Sequence, residues 1–186
     1  MPNDFDIEAN RASRKWTRTE LLGRVLWAAV TPAFRLSPRL CWGWRATLLR
    51  LFGAKIGRNV HIHPSVTIFV PWNLVVKENS SIGFEALIYN LGEIEIGSNS
   101  TISQRAHLCA GTHDYRDPAM PLMKPPIRIG SSVWVCADSF IGPGVSIGDR
   151  AIVGARAVVL KDAPSGTIVG GNPSRVLKKR DPPSDA

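Results

Sequence analysis

The chain has little of what the common catalytic and targeting signatures need. Its three cysteines, Cys41, Cys109 and Cys136, are odd in number and far apart, which argues against a disulfide framework and a cysteine-type zinc site. There is no Gly-x-Ser-x-Gly elbow, no phosphate-binding glycine loop ahead of a helix and no His-Glu-x-x-His. A serine or cysteine nucleophile activated in one of those settings is therefore not expected. No run of about eighteen apolar residues occurs, so a conventional spanning helix is not expected either. Asp4, Asp6 and Glu8 precede any apolar stretch, and no small-residue cleavage site follows one neatly, which does not read as a secretory signal. The expected location is the cytoplasm.

What the chain does have is a six-residue beat. Ile129, Val135, Ile141, Ile147, Val153 and Val159 stand six apart, and Gly130, Cys136, Gly142, Gly148 and Gly154 follow the first five. Four places after each of these five aliphatics come Val133, Ser139, Val145, Ala151 and Ala157. A helix repeats near 3.6 and a strand at 2, so neither gives a strict six. A hexapeptide β-helix does, with one short strand and turn per hexad and three hexads per coil. Read backwards, Ile56, Ile62, Ile68 and Leu74 keep one register, Val76, Ile82, Ile88 and Ile94 a second, and Ile96, Ile102 and Leu108 a third. The two-residue slips between registers mark insertions at a corner, and Pro71-Trp72-Asn73 stands near the first. The beat stops from residue 114 to 128, a stretch with four prolines that resists continuous helix or inner strand. An excursion of that length from a regular stack reads as functional. The expected organisation is a helical segment over 1–54, a β-helix over 55–175 with its loop at 114–128, and a tail over 176–186.

Residues 1–55 carry +6 of the net charge of +8 and four of the six tryptophans, Trp16, Trp27, Trp42 and Trp44. Thr17 and Glu20 form a capping-box start for an apolar face of Leu21, Leu22, Val25, Leu26, Ala29 and Val30, which Pro32 should end or kink. Ser37-Pro38 reads as a second start, with Leu40, Trp44, Leu48 and Leu51 on one stripe and Gly53 as the stop. Such helices can cap the open first coil, or lie peripherally on the inner face of a membrane through residues 17–52. Nucleic acid is not an expected partner, because the aromatics follow helix faces and no recognition motif accompanies the charge.

Among the four histidines, His61, His107 and His113 each precede an inward position, which places them at corners and pointing outwards. His61 and His107 read as solvated corner residues. His113 differs: Gly111-Thr112-His113-Asp114-Tyr115 ends the last regular hexad and opens the excursion. An imidazole, ordinarily titrating near neutrality, suits general-base work there, oriented by Asp114 or a backbone carbonyl.

Several ordered motifs carry a likeness. Tyr89-Asn90-Leu91-Gly92, Gly111 to Tyr115, Pro126-Ile127-Arg128-Ile129-Gly130, Val133-Trp134-Val135, Pro143 to Gly148, Lys161-Asp162-Ala163-Pro164 and Val169 to Arg175 together resemble the hexapeptide-repeat O-acetyltransferases. The branch is that of the galactoside, maltose and nodulation enzymes, and within it the colanic acid biosynthesis acetyltransferase type. The resemblance implies an all-β solenoid, a left-handed parallel β-helix, although the usual crossover preference is right-handed. It implies acetyl-CoA as acyl donor, no metal, and a homotrimer with its active sites between neighbouring subunits. By the same resemblance His113 is the catalytic base, and Asn90, Glu85, Asp114 and Tyr115 lie on the acceptor side. Trp134 lines the acyl tunnel, Ala155 offers a backbone contact to the pantetheine arm, and Lys161 and Arg175 stand near the coenzyme phosphates. Gly83 and Glu85 replace asparagines of the galactoside enzymes, which argues against a simple galactoside. The acceptor implied is a saccharide or a lipid-linked saccharide, in exopolysaccharide or other surface-glycan synthesis. Two other readings stay open: a catalytically silent scaffold, and a γ-carbonic-anhydrase-like zinc enzyme starting from His107 and His113.

Overall fold

The computed structural model describes residues 5–181; the outermost stretches of the expected N-terminal segment (1–4) and C-terminal tail (182–186) lie outside the described residues. Short strands stack into three parallel faces of a left-handed β-helix. The first face holds Lys55–Ile56, Leu74–Val76, Ile94–Ile96, Ile127–Ile129 and Ser146–Ile147. The second runs from His61–Ile62 through Ser81–Ile82, Thr101–Ile102, Trp134–Val135 and Ile152–Val153 to Thr167–Gly171. The third holds Thr67–Ile68, Leu87–Tyr89, His107–Cys109, Phe140–Ile141 and Val158–Val159. Beyond the coils, Ser174–Lys179 returns antiparallel to Thr167–Gly171, so much of the expected tail is strand.

The beat works because two side chains per hexad are buried in the prism, the aliphatic and the residue four places after it. Ile129, Val135, Ile141, Ile147, Val153 and Val159 are all buried, and each sits over its partner in the next coil. Ile129 pairs with Ile147, three hexads on, whereas Ile56, Val76 and Ile96 pair at three hexads plus two residues. The extra pair of residues lies at the corner from third to first face. There Pro71–Asn73 makes a 3-10 turn, and both Leu74 and Val76 point inwards. The small slot follows from stacking of the turns: a Cβ on Gly148 would come within 2.5 Å of the Ser165 nitrogen.

Three helices precede the coils: α1 (Ile7–Ala12), α2 (Arg18–Arg35) and α3 (Trp42–Leu51). The Thr17–Glu20 capping box opens α2. Pro32 does not end it: although Pro32 cannot donate to the carbonyl one turn back, the helix runs on to Arg35 and Leu36 N–H reaches the Pro32 carbonyl. Nor does α3 start at Ser37-Pro38. The Ser37 hydroxyl and the Pro38 and Arg39 carbonyls are held by the Arg45 guanidinium, and the helix begins at Trp42. Gly53 does stop the chain's helical course, at a φ of +86°. Of the expected apolar stripes only Leu48 is buried. Leu21, Leu22, Val25, Leu26, Leu40, Trp44 and Leu51 are exposed, while Trp27, Phe34, Arg45, Ala46, Leu48 and Leu49 are buried.

The burial pattern follows from the open end of the helix. First-coil N–H groups donate onwards, Gly57 to Val76 and His63 to Ile82, which leaves the outermost carbonyls without a strand partner. Each face receives one donor from the helices. Arg50 reaches the Ile56 carbonyl at 2.8 Å, Arg45 the Ile62 carbonyl at 2.7 Å, and Trp27 Nε1 the Ile68 carbonyl at 2.8 Å. These bonds satisfy the edge that would otherwise template further strand pairing.

Candidate active site

The excursion is a hairpin rising from the corner between third and first faces. Thr112–His113 pairs antiparallel with Leu122–Met123, and the coil resumes at Ile127. Its tip is tied inside. Arg116 donates to the Asp114 carboxylate from its own N–H and guanidinium, Met120 N–H reaches the Asp117 carbonyl at 2.8 Å, and Met120 takes a φ of +43°. Helix α1 clamps the tip from outside: Asp6 N–H donates to the Pro118 carbonyl, and Asn10 Nδ2 to the Ala119 and Met120 carbonyls at 2.8 and 2.6 Å.

That tip orients the histidine. His113 Nδ1 lies 2.6 Å from the Met120 carbonyl oxygen. A carbonyl only accepts, so Nδ1 carries the proton and Nε2 keeps a free lone pair. The orienting group is therefore the backbone carbonyl and not Asp114, whose carboxyl is held below the usual carboxylate range by its bonds to Arg116. His113 lines a cavity of about 230 Å3 with Lys15, Trp16, Arg24, Phe69, Tyr89, Leu91 and Leu122. Phe69 and Tyr89 meet edge to face at 4.8 Å. Two cations lie over the Trp16 ring, Arg24 at 4.2 Å and Lys124 Nζ at 3.8 Å from its centre.

The other expected site residues fall elsewhere. Asn90 does not offer its amide to an acceptor. It is fully buried, its Oδ1 accepting from the Phe69 and Val70 N–H groups and its Nδ2 donating to the Val70 carbonyl, and it pins the corner of the coil. Tyr115 is exposed at the hairpin tip, and Glu85 is exposed at the corner from second to third face with a φ of +53°. Trp134 stands out from the second face with its Nε1 2.9 Å from Ser103 Oγ, and Ala155 is exposed at that face's far corner. Lys161 is exposed at the same corner as the hairpin, in a later coil, and Arg175 is exposed on the returning strand. One chain thus places His113 on one corner of the prism and Trp134 on the face opposite. A larger cavity, about 580 Å3, opens on that second face among Arg39, Trp42, His61, His63, Gly83, Phe84 and Gln104. It holds none of the hairpin.

The remaining histidines and the thiols lack the setting of His113. His61 and His107 lie on strands, not corners. His61 is stacked on Trp42 at 4.8 Å. His107 is not solvated either: it packs against Phe140, its Nε2 is buried without a partner, and burial lowers its pKa. Burial pushes the Cys109 and Cys136 thiols up, so neither is an activated nucleophile. Among the described residues no three His, Cys, Asp or Glu side chains gather to hold a metal ion. Asn10, Lys15, Trp16 and Arg24 are the residues that the sequence reading missed. They sit outside the hexad pattern, and only the fold of the N-terminal segment brings them to the hairpin.

Comparison with known proteins agrees with this architecture. Residues 126–161 match the family described as bacterial transferase hexapeptide (six repeats). The Escherichia coli (strain K12) protein WcaF, which carries the name of a colanic acid biosynthesis acetyltransferase, is 46% identical over 154 residues, 83% of this chain and 85% of that one. A maltose O-acetyltransferase from Clostridium difficile 630 superposes with a TM-score of 0.82 at 26% identity, covering 89% of this chain and 90% of its own. A galactoside acetyltransferase solved in complex with coenzyme A also gives 0.82, at 25% identity, covering 97% and 92%. With the repeat and a relative 46% identical over 83% of the chain in agreement, the chain belongs to the hexapeptide-repeat acetyltransferase family.

Proposed function

We propose that the protein transfers the acetyl group of acetyl-CoA to a hydroxyl of a saccharide during surface-polysaccharide synthesis, with His113 Nε2 as general base. The observation that carries this reading is the His113–Met120 bond of 2.6 Å, which commits Nδ1 as donor and leaves Nε2 free on a residue that lines a cavity with aromatic rings. Nε2 takes the proton of the acceptor hydroxyl as its oxygen attacks the thioester carbonyl. When the tetrahedral adduct collapses and the C–S bond breaks, the imidazolium returns that proton to the departing sulfur. No protein nucleophile is needed. The relatives support the substrate classes by their names: colanic acid biosynthesis for one, maltose acetylation for a second, and galactoside acetylation, with coenzyme A bound, for a third.

We also propose a homotrimer that completes the site. Trp134 and Ala155, on the second face and its corner, are the surfaces expected to carry the coenzyme arm, and His113 rises from the opposite corner. A neighbouring chain brings them together. The exposed stripe of Leu21, Leu22, Val25 and Leu26 on α2 supports a peripheral membrane contact and a lipid-linked acceptor at the cytoplasmic face. No helix among the described residues is long and apolar enough to cross a membrane.

The test is mass spectrometry of polysaccharide repeat units incubated with acetyl-CoA and either wild-type protein or His113→Ala. Acetylated product from the wild type and its loss in the variant are expected; no product, or product from both, overturns the assignment. Mixed trimers of His113→Ala and Arg175→Ala chains should regain part of the activity, and failure to regain any refutes a shared site.

A further inference from the structure

We infer that the acceptor carries a negative charge close to the hydroxyl that is acetylated, and that Lys15 and Arg24 receive it beside His113. The inference rests on the reaction proposed above and names the chemical class of its acceptor. It comes from the charge inventory of the 230 Å3 cavity, whose lining contains two cations and no carboxylate.

Both cations are half-buried, and among the described residues neither makes an ion pair. Lys15 Nζ donates to the neutral Oδ1 of Asn10 at 2.9 Å and makes no ion pair. The Arg24 guanidinium lies over the Trp16 ring at 4.2 Å and makes neither a hydrogen bond nor an ion pair. The nearby acid, Glu20, does not line the cavity. One of its oxygens accepts from the Thr17 N–H at 2.7 Å and the other lies 4.0 Å from Lys124, while its charge also acts on Arg24 one helical turn on. The acid next to the histidine, Asp114, is matched by Arg116. Half-burying ammonium and guanidinium groups is unfavourable unless a counter-charge arrives; Glu20 acts on Arg24 through its charge without pairing with it, and no carboxylate pairs with Lys15 among the described residues. Arg adds a planar fork that grips a carboxylate or a phosphate through two N–H groups.

The rest of the wall suits a sugar. Phe69 and Tyr89 present apolar surface against which the C–H face of a pyranose can lie, while Leu91 and Leu122 add aliphatic wall. The cavity is smaller than the roughly 300–1,000 Å3 that drug-sized ligands fill, so it takes one sugar unit and leaves the remainder of the acceptor outside. An anion held by Lys15 and Arg24 would fix that unit in the cavity whose wall includes His113. The anion can be the carboxylate of a uronic acid, or the diphosphate that joins a sugar to its carrier. The chemistry of recognition is shared.

Three probes separate these sources: methyl glucuronide, glucose on a short prenyl diphosphate, and neutral methyl glucoside. Binding to the full-length protein is read by calorimetry at low and high salt, and acetyl transfer from acetyl-CoA is read on the same compounds. At low salt the wild type should favour at least one anionic probe over methyl glucoside by on the order of tenfold to a hundredfold, the range one or two charge-assisted bonds give. Salt should erode that preference and leave neutral binding unchanged. In Lys15→Gln/Arg24→Gln the ratio of anionic to neutral binding should collapse towards one, and Arg24→Lys should restore part of it. Preference for methyl glucuronide alone identifies a uronate, and preference for the diphosphate alone a carrier-linked sugar. Equal binding of all three by the wild type overturns the inference, as does a preference that survives the double substitution. Acetyl transfer without a preference would refute the subsite and keep the reaction. Preference without transfer would keep the subsite and refute the reaction.

Discussion

Replacing Asn10 with alanine should slow acetyl transfer even though Asn10 lies on α1, outside the β-helix that carries His113. Asn10 is half-buried and uses its whole amide: Nδ2 donates to the Ala119 and Met120 carbonyls, and Oδ1 accepts from Lys15. The Met120 carbonyl is the same one that accepts from His113 Nδ1. Asn10 is thus a positioning residue that fixes the acceptor which fixes the imidazole. Each neutral hydrogen bond contributes about 0.5–1.5 kcal/mol net, and water can refill part of a half-buried site. Losing two bonds then weakens the hold on the hairpin tip by about 1–2 kcal/mol. At about 1.4 kcal/mol per factor of ten, the population with Nε2 in place falls roughly 5- to 30-fold. Initial rates of acetyl transfer should show that fall in kcat, with little change in KM for acetyl-CoA and a small shift in melting temperature. Asn10→Asp should be worse than Asn10→Ala, because a carboxylate keeps Lys15 but faces two carbonyls without a proton to offer. An unchanged kcat in Asn10→Ala, or an Asn10→Asp variant that outperforms it, would refute the clamp.

His113→Ala should lose turnover by about 10²- to 10⁴-fold with coenzyme affinity retained, and His61→Ala should be nearly silent in the same assay. His107→Ala should instead lower thermal stability by on the order of 1–2 kcal/mol, since it empties a site packed against Phe140. Lys161→Ala and Arg175→Ala should raise KM for acetyl-CoA more than they lower kcat, and the reverse split would remove them from the coenzyme side. Arg45→Met should destabilise the fold by about 1–3 kcal/mol in chemical denaturation, because the Ile62, Pro38 and Arg39 carbonyls and the Ser37 hydroxyl lose their donor. Leu22→Glu with Leu26→Glu should abolish flotation with anionic liposomes and leave the melting temperature unchanged, and undiminished flotation would sink the membrane contact.

The hexad could be read because each inward slot accepts only a narrow class of side chain. Ile129 to Val159 must fill the prism, and Gly148 must leave room for the turn beneath it, so position and residue type coincide. The helices carry no such constraint. Leu21, Leu22, Val25 and Leu26 form the more conspicuous apolar stripe, yet α2 buries Trp27 and Phe34. What selects Trp27 is an indole N–H within reach of the Ile68 carbonyl, a partner that exists only once the first coil has formed. Asn90 misleads for a related reason. Its place in the motif suggests a ligand contact, whereas the amide is taken by the backbone of the corner that the two-residue insertion creates. Asp114 stands next to His113 in sequence, but the turn directs its carboxylate to Arg116.

The composition of the N-terminal segment now has a structural cause. A parallel coil whose N–H groups all donate onwards ends in carbonyls, so whatever covers that end has to donate. The strongest neutral and charged side-chain donors that also carry apolar bulk are Trp and Arg. Trp27, Arg45 and Arg50 do this on the three faces in turn, and they account for part of the basic, Trp-rich character without any nucleic acid. Once the segment is anchored on the first coil, α2 places Arg24 against the His113 cavity, and the preceding residues carry Trp16, Lys15 and Asn10 to the hairpin. Closure of the open end and assembly of the site are therefore coupled through one segment. A substitution that loosens Trp27 or Arg45 should reach the acceptor cavity as well as the stability of the coil, while the stacked aliphatics around Val153 remain in place.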